Sequence, residues 1–189
     1  MPNNPSNLDR RAFLALLASV PLAASCPADA SPDGLQDWGA APDFRGIQQW
    51  FNSPALSLAG LKGQVVLVDF WTFACINCLR TLPHVNRWAQ THRDQGLVVV
   101  GVHTPEFAFE RSARSVQTAI KRHGIQHPVA LDNDHATWKA YENQYWPAHY
   151  LIDRSGRIRY RHFGEGAYDL TEAAIRTLLA QPRISGSVS

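Results

Sequence analysis

With 189 residues, 45% of them hydrophobic, the chain can bury one substantial core and is too short for two full domains. A formal charge of +2 leaves no basic surplus that calls for nucleic acid, and residues 1–30 take Asp9, Arg10, Arg11 and Asp29 with them, so the remainder keeps the same balance. Three cysteines, two of them only three positions apart, point to cysteine chemistry rather than to a disulfide-stapled framework.

Along the chain, residues 1–30 read as an export signal: Arg10-Arg11 precedes an apolar stretch over residues 12–24, followed by small residues and Ala28-Asp29-Ala30. That stretch is shorter than the roughly 20 residues a membrane-spanning helix needs. The paired arginines resemble the twin-arginine signal. Cys26 has two fates. Ala23-Ala24-Ser25-Cys26 is similar to a lipobox that would tether the protein by lipid, whereas cleavage after Ala30 would discard it. Residues 31–41, rich in Pro, Asp, Gly and Ala, read as a flexible leader, so that a domain of residues 42–180 is followed by a tail at 181–189.

Within that domain, the β-branched runs 64–70 and 97–102 predict strands buried on both faces. Shorter strands are expected at 129–131, 148–152 and 158–163, the last two joined through Asp153-Arg154-Ser155-Gly156 as a hairpin turn. Helical patterns cover 75–92, interrupted by Pro83; 110–123, stopped by Gly124; and 135–145. The last helix opens at Asp169-Leu170-Thr171-Glu172, which resembles a capping box, and runs to about 180. Alternating strands and helices imply an α/β fold whose parallel-containing sheet gains an antiparallel edge from the hairpin. The eight histidines are scattered and form no H-E-x-x-H pattern, which places them on the surface or in turns.

Cys75-Ile76-Asn77-Cys78 sits where the apolar run 65–73 gives way to a helical pattern. A thiol in the first helical turn meets unpaired backbone N–H groups and the positive end of the helix dipole, both favouring thiolate. Cys75 is therefore the expected nucleophile, and Cys78, one turn on, the resolving thiol that attacks a mixed disulfide. Zinc would need a second ligand pair at similar spacing, and Cys26 lies far upstream.

These residues resemble the thioredoxin superfamily: Asp69-Phe70-Trp71, then Cys75 and Cys78, Pro83 inside the following helix, and Trp146-Pro147 where that superfamily carries its cis-proline. Ala41-Pro42-Asp43-Phe44, Trp71-Thr72-Phe73, Val102-His103-Thr104-Pro105-Glu106, Ala130-Leu131-Asp132-Asn133 and Phe163-Gly164-Glu165-Gly166 are similar to TlpA-like redoxins, especially the C-terminal domain of DipZ-type proteins. The resemblance implies a thioredoxin-like fold, a central mixed sheet flanked by helices with a redoxin-type helix/strand insertion. It also implies no cofactor beyond the Cys75–Cys78 disulfide, and no metal. Asp69 would be a buried carboxylate that accepts the Cys78 proton. Trp146, Pro147 and Ala148 would present a strand edge to a substrate peptide, while Trp71 and Pro83 support the site.

The function implied is an exported, periplasmic or otherwise extracytoplasmic thiol-disulfide oxidoreductase that reduces cysteine-containing protein substrates. DipZ-type proteins fuse a membrane electron donor to this domain, so a CcdA-like or DsbD-like donor is implied as a partner. Ile76-Asn77 replaces the Gly-Pro of thioredoxin, and Thr81 stands where haem-maturation members carry a glutamate, which argues against a dedicated cytochrome c maturation role. Three alternatives remain: an oxidase running the same chemistry backwards, a thiol peroxidase, from Thr72-Phe73-Ala74-Cys75, and a Cu(I)-binding chaperone using Cys75, Cys78 and His103.

Overall fold

The computed structural model describes residues 34–182, so the expected export signal, Cys26 and the end of the tail lie outside the described residues. Six strands form one sheet: β1 (Gln49–Phe51), β2 (Val65–Trp71), β3 (Leu97–His103), β4 (Val129–Leu131), β5 (Ala148–Ile152) and β6 (Ile158–Phe163), in the order β1-β4-β3-β2-β5-β6. β2, β3 and β4 run parallel, while β5, β6 and β1 pair antiparallel to their neighbours. Every residue of β2 is buried, as a central strand covered on both faces requires.

Four helices cover the sheet: α1 (Ile76–Thr91), α2 (Ala113–Arg122), α3 (Ala136–Ala140) and α4 (Tyr168–Ala180). Odd-numbered residues of β2 face α1, α2 and α4. Val65 and Leu67 pack with Val85, Trp88, Ile175 and Leu178, and Trp71 packs with Cys78, Leu82, Val116 and Ile120. Even-numbered Val66, Val68 and Phe70 face the other way, onto Trp138, Tyr141, Tyr150 and the segment that precedes β2. Alternation along one strand thus separates two cores. Each fully buried Val, Leu or Phe adds about 1.5–3 kcal/mol relative to exposure. Between β3 and α3, the unit α2–β4 forms the helix and strand of the redoxin-type insertion.

Several elements differ from the sequence expectations. Residues 35–41 are not a free leader: Trp38 N–H bonds Ile158 O, Ala41 N–H bonds Gly156 O, and Asp37 pairs with Arg157 at 2.6 Å, so this segment lies along the hairpin. The three-residue β1 was too short to show a period. The helix expected at 110–123 is split, with a 3-10 turn over Ala108–Arg111 and then α2, capped by Ser112 accepting the Ser115 N–H. α3 ends at Ala140 instead of 145, because Glu142 adopts a left-handed φ of 52° that a continuing helix cannot hold. At α4 the expected capping box does not form. Ala167 is the N-cap with no side-chain bond, and Glu172 turns instead to His92 and Arg176, at 2.8 and 3.0 Å. Pro83 sits inside α1 without ending it.

Candidate active site

β2 delivers the chain into a short loop, residues 72–75, and α1 begins at Ile76 with Cys75 as its N-cap. The Cys75 sulfur accepts the Cys78 N–H at 3.3 Å, the bond a capping side chain makes to an otherwise unpaired donor. Both thiols are free; Cys75 is half-buried and Cys78 is 1% exposed. This difference in environment separates their acidities. Cys75 is lowered to about 7, first by the hydrogen bond from the Cys78 thiol and further by the backbone N–H groups of Cys78 and Asn77, against opposition from burial and Glu106. Cys78 is pushed well up, by burial first, then by its bond to Cys75, with a smaller contribution from the Asp69 charge. A dithiol so arranged offers one thiolate to the outside and keeps one protonated thiol in reserve.

Asp69, on the α1 side of β2, is 2% exposed. Its register partners are Gly101 on β3 and His149 on β5, and His149 Nε2 lies 3.3 Å from Asp69 Oδ1, close but out of line for a hydrogen bond. Gly101 makes room there: a Cβ would come within 3.0 Å of Trp71 Nε1 and 3.3 Å of His127 Nε2. Trp71 is 1% exposed and meets His103 edge-on, with ring centroids 5.1 Å apart.

The loop before the cysteines is tied down by a residue that sequence reasoning missed. Glu110 is fully buried; its Oε1 accepts from the Thr72 hydroxyl and from Ala74 N–H at 3.0 Å, and its Oε2 accepts from the N–H groups of Glu106 and Phe107 at 2.7 and 2.9 Å. One carboxylate thus joins the loop after β2 to the loop after β3. An acidic residue beside Arg111 in a helical pattern reads as solvated, and no local signal marks it as buried. The histidines were also misread: His92, His103, His127 and His149 are buried, not surface residues. Burial pushes His103 and His127 down to about 4.

The Trp146–Pro147 bond is cis, and Ala148 opens β5. Trp146 packs on Trp138 and donates from Nε1 to Thr104 O at 3.0 Å. It also borders a cavity of about 310 Å³ whose other walls include Glu106, Phe107, Arg111 and His135. Near the cysteine loop, apolar Ile76, Phe107 and Phe109 are each more than half exposed, the two phenylalanines stack at 5.7 Å, and the exposed Glu106 carboxylate acts on Cys75. A second cavity of about 300 Å³, bounded by Asn52, Asn86, Arg93 and His127, is not lined by either cysteine. Among the described residues no group of three or more His, Cys, Asp or Glu side chains is arranged to hold a metal ion. His103 Nε2 lies 3.3 Å from the Thr72 hydroxyl.

The sequence pattern of the AhpC/TSA family matches residues 39–161. The chain belongs to this family. It is 51% identical to the protein DipZ of Mycobacterium bovis over 148 residues, which are 77% of this chain and 21% of that protein, so it spans about a fifth of that relative's length. It is 29% identical to the thiol-disulfide oxidoreductase YkuV of Bacillus subtilis over 140 residues, covering 74% of this chain and 94% of YkuV. The crystal structure of the thioredoxin-like superfamily protein SPOA0173 superposes with a TM-score of 0.71 at 30% identity, covering 77% of this chain and 99% of that one. The fold of this family member is therefore thioredoxin-like, as its mixed six-stranded sheet requires.

Proposed function

We propose that this chain is a thiol-disulfide oxidoreductase that reduces disulfides in cysteine-containing proteins outside the cytoplasm. The observation that carries the reading is the inequality of its thiols: Cys75 half-buried at a helix start and lowered to about 7, Cys78 buried and held protonated behind it. The Cys75 thiolate attacks a substrate disulfide, forming a mixed disulfide and expelling one substrate thiolate. Cys78 then gives its proton to Asp69 and attacks the Cys75 sulfur, expelling the second thiolate and leaving the Cys75–Cys78 disulfide. A substrate segment would lie across the apolar Ile76, Phe107 and Phe109 and along the backbone of Trp146, Pro147 and Ala148.

The acidity of Cys75 supports the reducing direction. At pH 7 a group lowered from 9 to about 7 stabilises the reduced form by at most about 0.4 kcal/mol, about 10 mV. A nucleophile near 3.5, as in DsbA, contributes roughly 5 kcal/mol, on the order of 100 mV. The smaller contribution suits a reductant. The name of YkuV supports the chemistry, and the TM-score of 0.71 to SPOA0173 supports the fold that carries it. Export rests on Arg10-Arg11 and the apolar stretch behind them, and a CcdA-like or DsbD-like membrane donor would return the electrons.

The peroxidase reading loses its main support, because the Thr72 hydroxyl is buried and donates to Glu110, so it is not free to orient a peroxide. The deciding experiment is the reduction potential of the Cys75–Cys78 couple in defined thiol buffers. A value near about −270 mV supports the reductant, and one near about −120 mV rejects it in favour of an oxidant. Changing Arg10 and Arg11 to lysine should leave the protein in the cytoplasm, and unimpaired export would refute the twin-arginine route.

A further inference from the structure

The buried row behind the cysteines continues past Asp69. Asp69 on β2, His149 on β5 and His162 on β6 are successive register partners across three antiparallel strands, so their side chains share the face under α1. Asp69 is 2% and His149 0% exposed, and their nearest polar atoms are 3.3 Å apart. The rings of His149 and His162 lie 6.2 Å apart between centroids. Both nitrogens of His149 and Nε2 of His162 are buried without a hydrogen-bond partner, which is costly for groups that serve only packing. His162 itself is part-exposed on the outermost strand, where its ring hydrogen-bonds the backbone of Gly164 and Glu165, so the row runs from beneath Cys78 to the edge of the sheet.

We infer that Asp69, His149 and His162 form a proton relay that carries the Cys78 proton across the sheet to solvent at β6. The inference rests on the thiol-disulfide exchange proposed above and adds the route by which its buried base is reset. When a substrate is disulfide-bonded to Cys75, it covers the open side of a site whose second thiol is only 1% exposed. The Cys78 S–H bond breaks as an O–H bond forms on Asp69, and the freed thiolate displaces the substrate sulfur from Cys75. The Asp69 proton then passes to Nε2 of His149, the Nδ1 proton of His149 passes to Nε2 of His162, and His162 releases one to water. The expelled substrate thiolate takes its own proton from solvent, so charge and protons balance.

The other titratable groups on this face fit the assignment. Cys78 comes from α1, His127 flanks Asp69 across Gly101, and His84 of α1 stacks on Tyr168 of α4 at 3.6 Å, while the Trp88 indole of α1 meets His149 edge-on at 5.7 Å. Burial, together with the neighbouring His149, holds His162 below the usual imidazole value, leaving it neutral and able to accept a proton at pH 7.

The test uses the reduced full chain carrying Cys26→Ser, which removes the third thiol and is the background for every variant below, mixed in a stopped-flow instrument with dithiobis(nitrobenzoate) in dilute non-imidazole buffer at pH 7. Release of the first coloured thiolate reports attack by Cys75, and release of the second reports attack by Cys78. In His162→Ala the first phase should match wild type. The second should slow roughly tenfold, below the ~100-fold typical of losing a positioned proton acceptor, because slow leakage past the cysteines remains. Added imidazole should restore it, which a merely structural defect would not allow. His149→Gln, compared with wild type by its near-ultraviolet circular dichroism, should slow the same phase without rescue. A second phase at the wild-type rate in His162→Ala, or a slow phase that imidazole leaves unchanged, overturns the relay. A wild-type chain that never releases the second thiolate overturns the exchange reading itself.

Discussion

Removing the Glu110 carboxylate should loosen the active-site loop. Its two oxygens take four hydrogen bonds, from Thr72, Ala74, Glu106 and Phe107. In Glu110→Ala the Thr72 hydroxyl can turn to His103 Nε2, 3.3 Å away, and the exposed 106–107 backbone can bond water. Ala74 is exposed as well, so its N–H can also bond water. Four charge-assisted bonds exchanged for weaker ones cost roughly 0.5–1 kcal/mol each. Relief of carboxylate desolvation offsets part of this, leaving a loss of about 2 kcal/mol, a sizeable share of the roughly 5–15 kcal/mol that holds a domain of this size. Glu110→Gln should lose about half as much, because whichever way the amide is turned, its NH₂ faces at least one backbone donor. Urea unfolding of the oxidised and reduced forms measures both, and iodoacetamide alkylation of Cys75 reports whether the 72–75 loop has shifted. A loss under about 1 kcal/mol in Glu110→Ala, with unchanged alkylation, would refute the assignment of Glu110 as the tie between the two loops.

The redox potential should fall by about 59 mV per pH unit below pH 7 and by about 30 mV above it, because Cys75, lowered to about 7, ceases to carry a proton in the reduced form there; a straight line from pH 6 to 8.5 would show that Cys75 does not titrate in that window. Cys75→Ser should abolish dithiol-dependent insulin reduction, whereas Cys78→Ser should accumulate mixed disulfides with target proteins, visible on non-reducing gels; retained turnover in the first, or no adducts in the second, would reverse or remove the assigned roles. His103 and His127 bind protons in the unfolded chain below about 6.5 but in the folded one only near 4, so the stability they leave intact above pH 6.5 is lost as pH falls toward 4, by up to about 1.4 kcal/mol per pH unit for each. Urea midpoints between pH 7 and 4.5 measure this, and a flat profile would contradict their neutral burial.

Legibility in the sequence tracked the range of the interaction involved. β2 and β3 were visible because burial on both faces writes an unbroken apolar run, and the 153–156 turn because Asp153 and Gly156 carry its geometry locally, with Gly156 N–H bonding Asp153 O. The cysteine pair was visible for the same reason, since a helix N-terminus and a one-turn spacing are short-range facts. What failed depended on partners far along the chain. Glu172 reads as the closing member of a capping box until His92, 80 positions away, is found beside it. Residues 35–41 have a linker's composition, yet their backbone groups are satisfied by a hairpin more than a hundred positions away. Glu110 and the buried histidines belong to this class, and only the fold makes them part of the site.

The same contrast separates the two sides of the cysteine pair. In front, Cys75 lies near exposed apolar side chains and loops held by one carboxylate, so substrate contact and loop position can change with little effect on the sheet. Behind, Asp69, Gly101 and His149 occupy adjacent strands in fixed register with His127 in the loop before β4 beside them, and a single added Cβ at Gly101 would press on Trp71 and His127 within 3.0 and 3.3 Å. Gly101→Ala therefore perturbs only the rear side: it should slow the second thiolate release, which depends on Asp69, and spare the first, which depends on the loop and helix start. Equal slowing of both phases would mean that the two sides are mechanically one unit, and that the back row cannot be assigned a separate role in resolving the mixed disulfide.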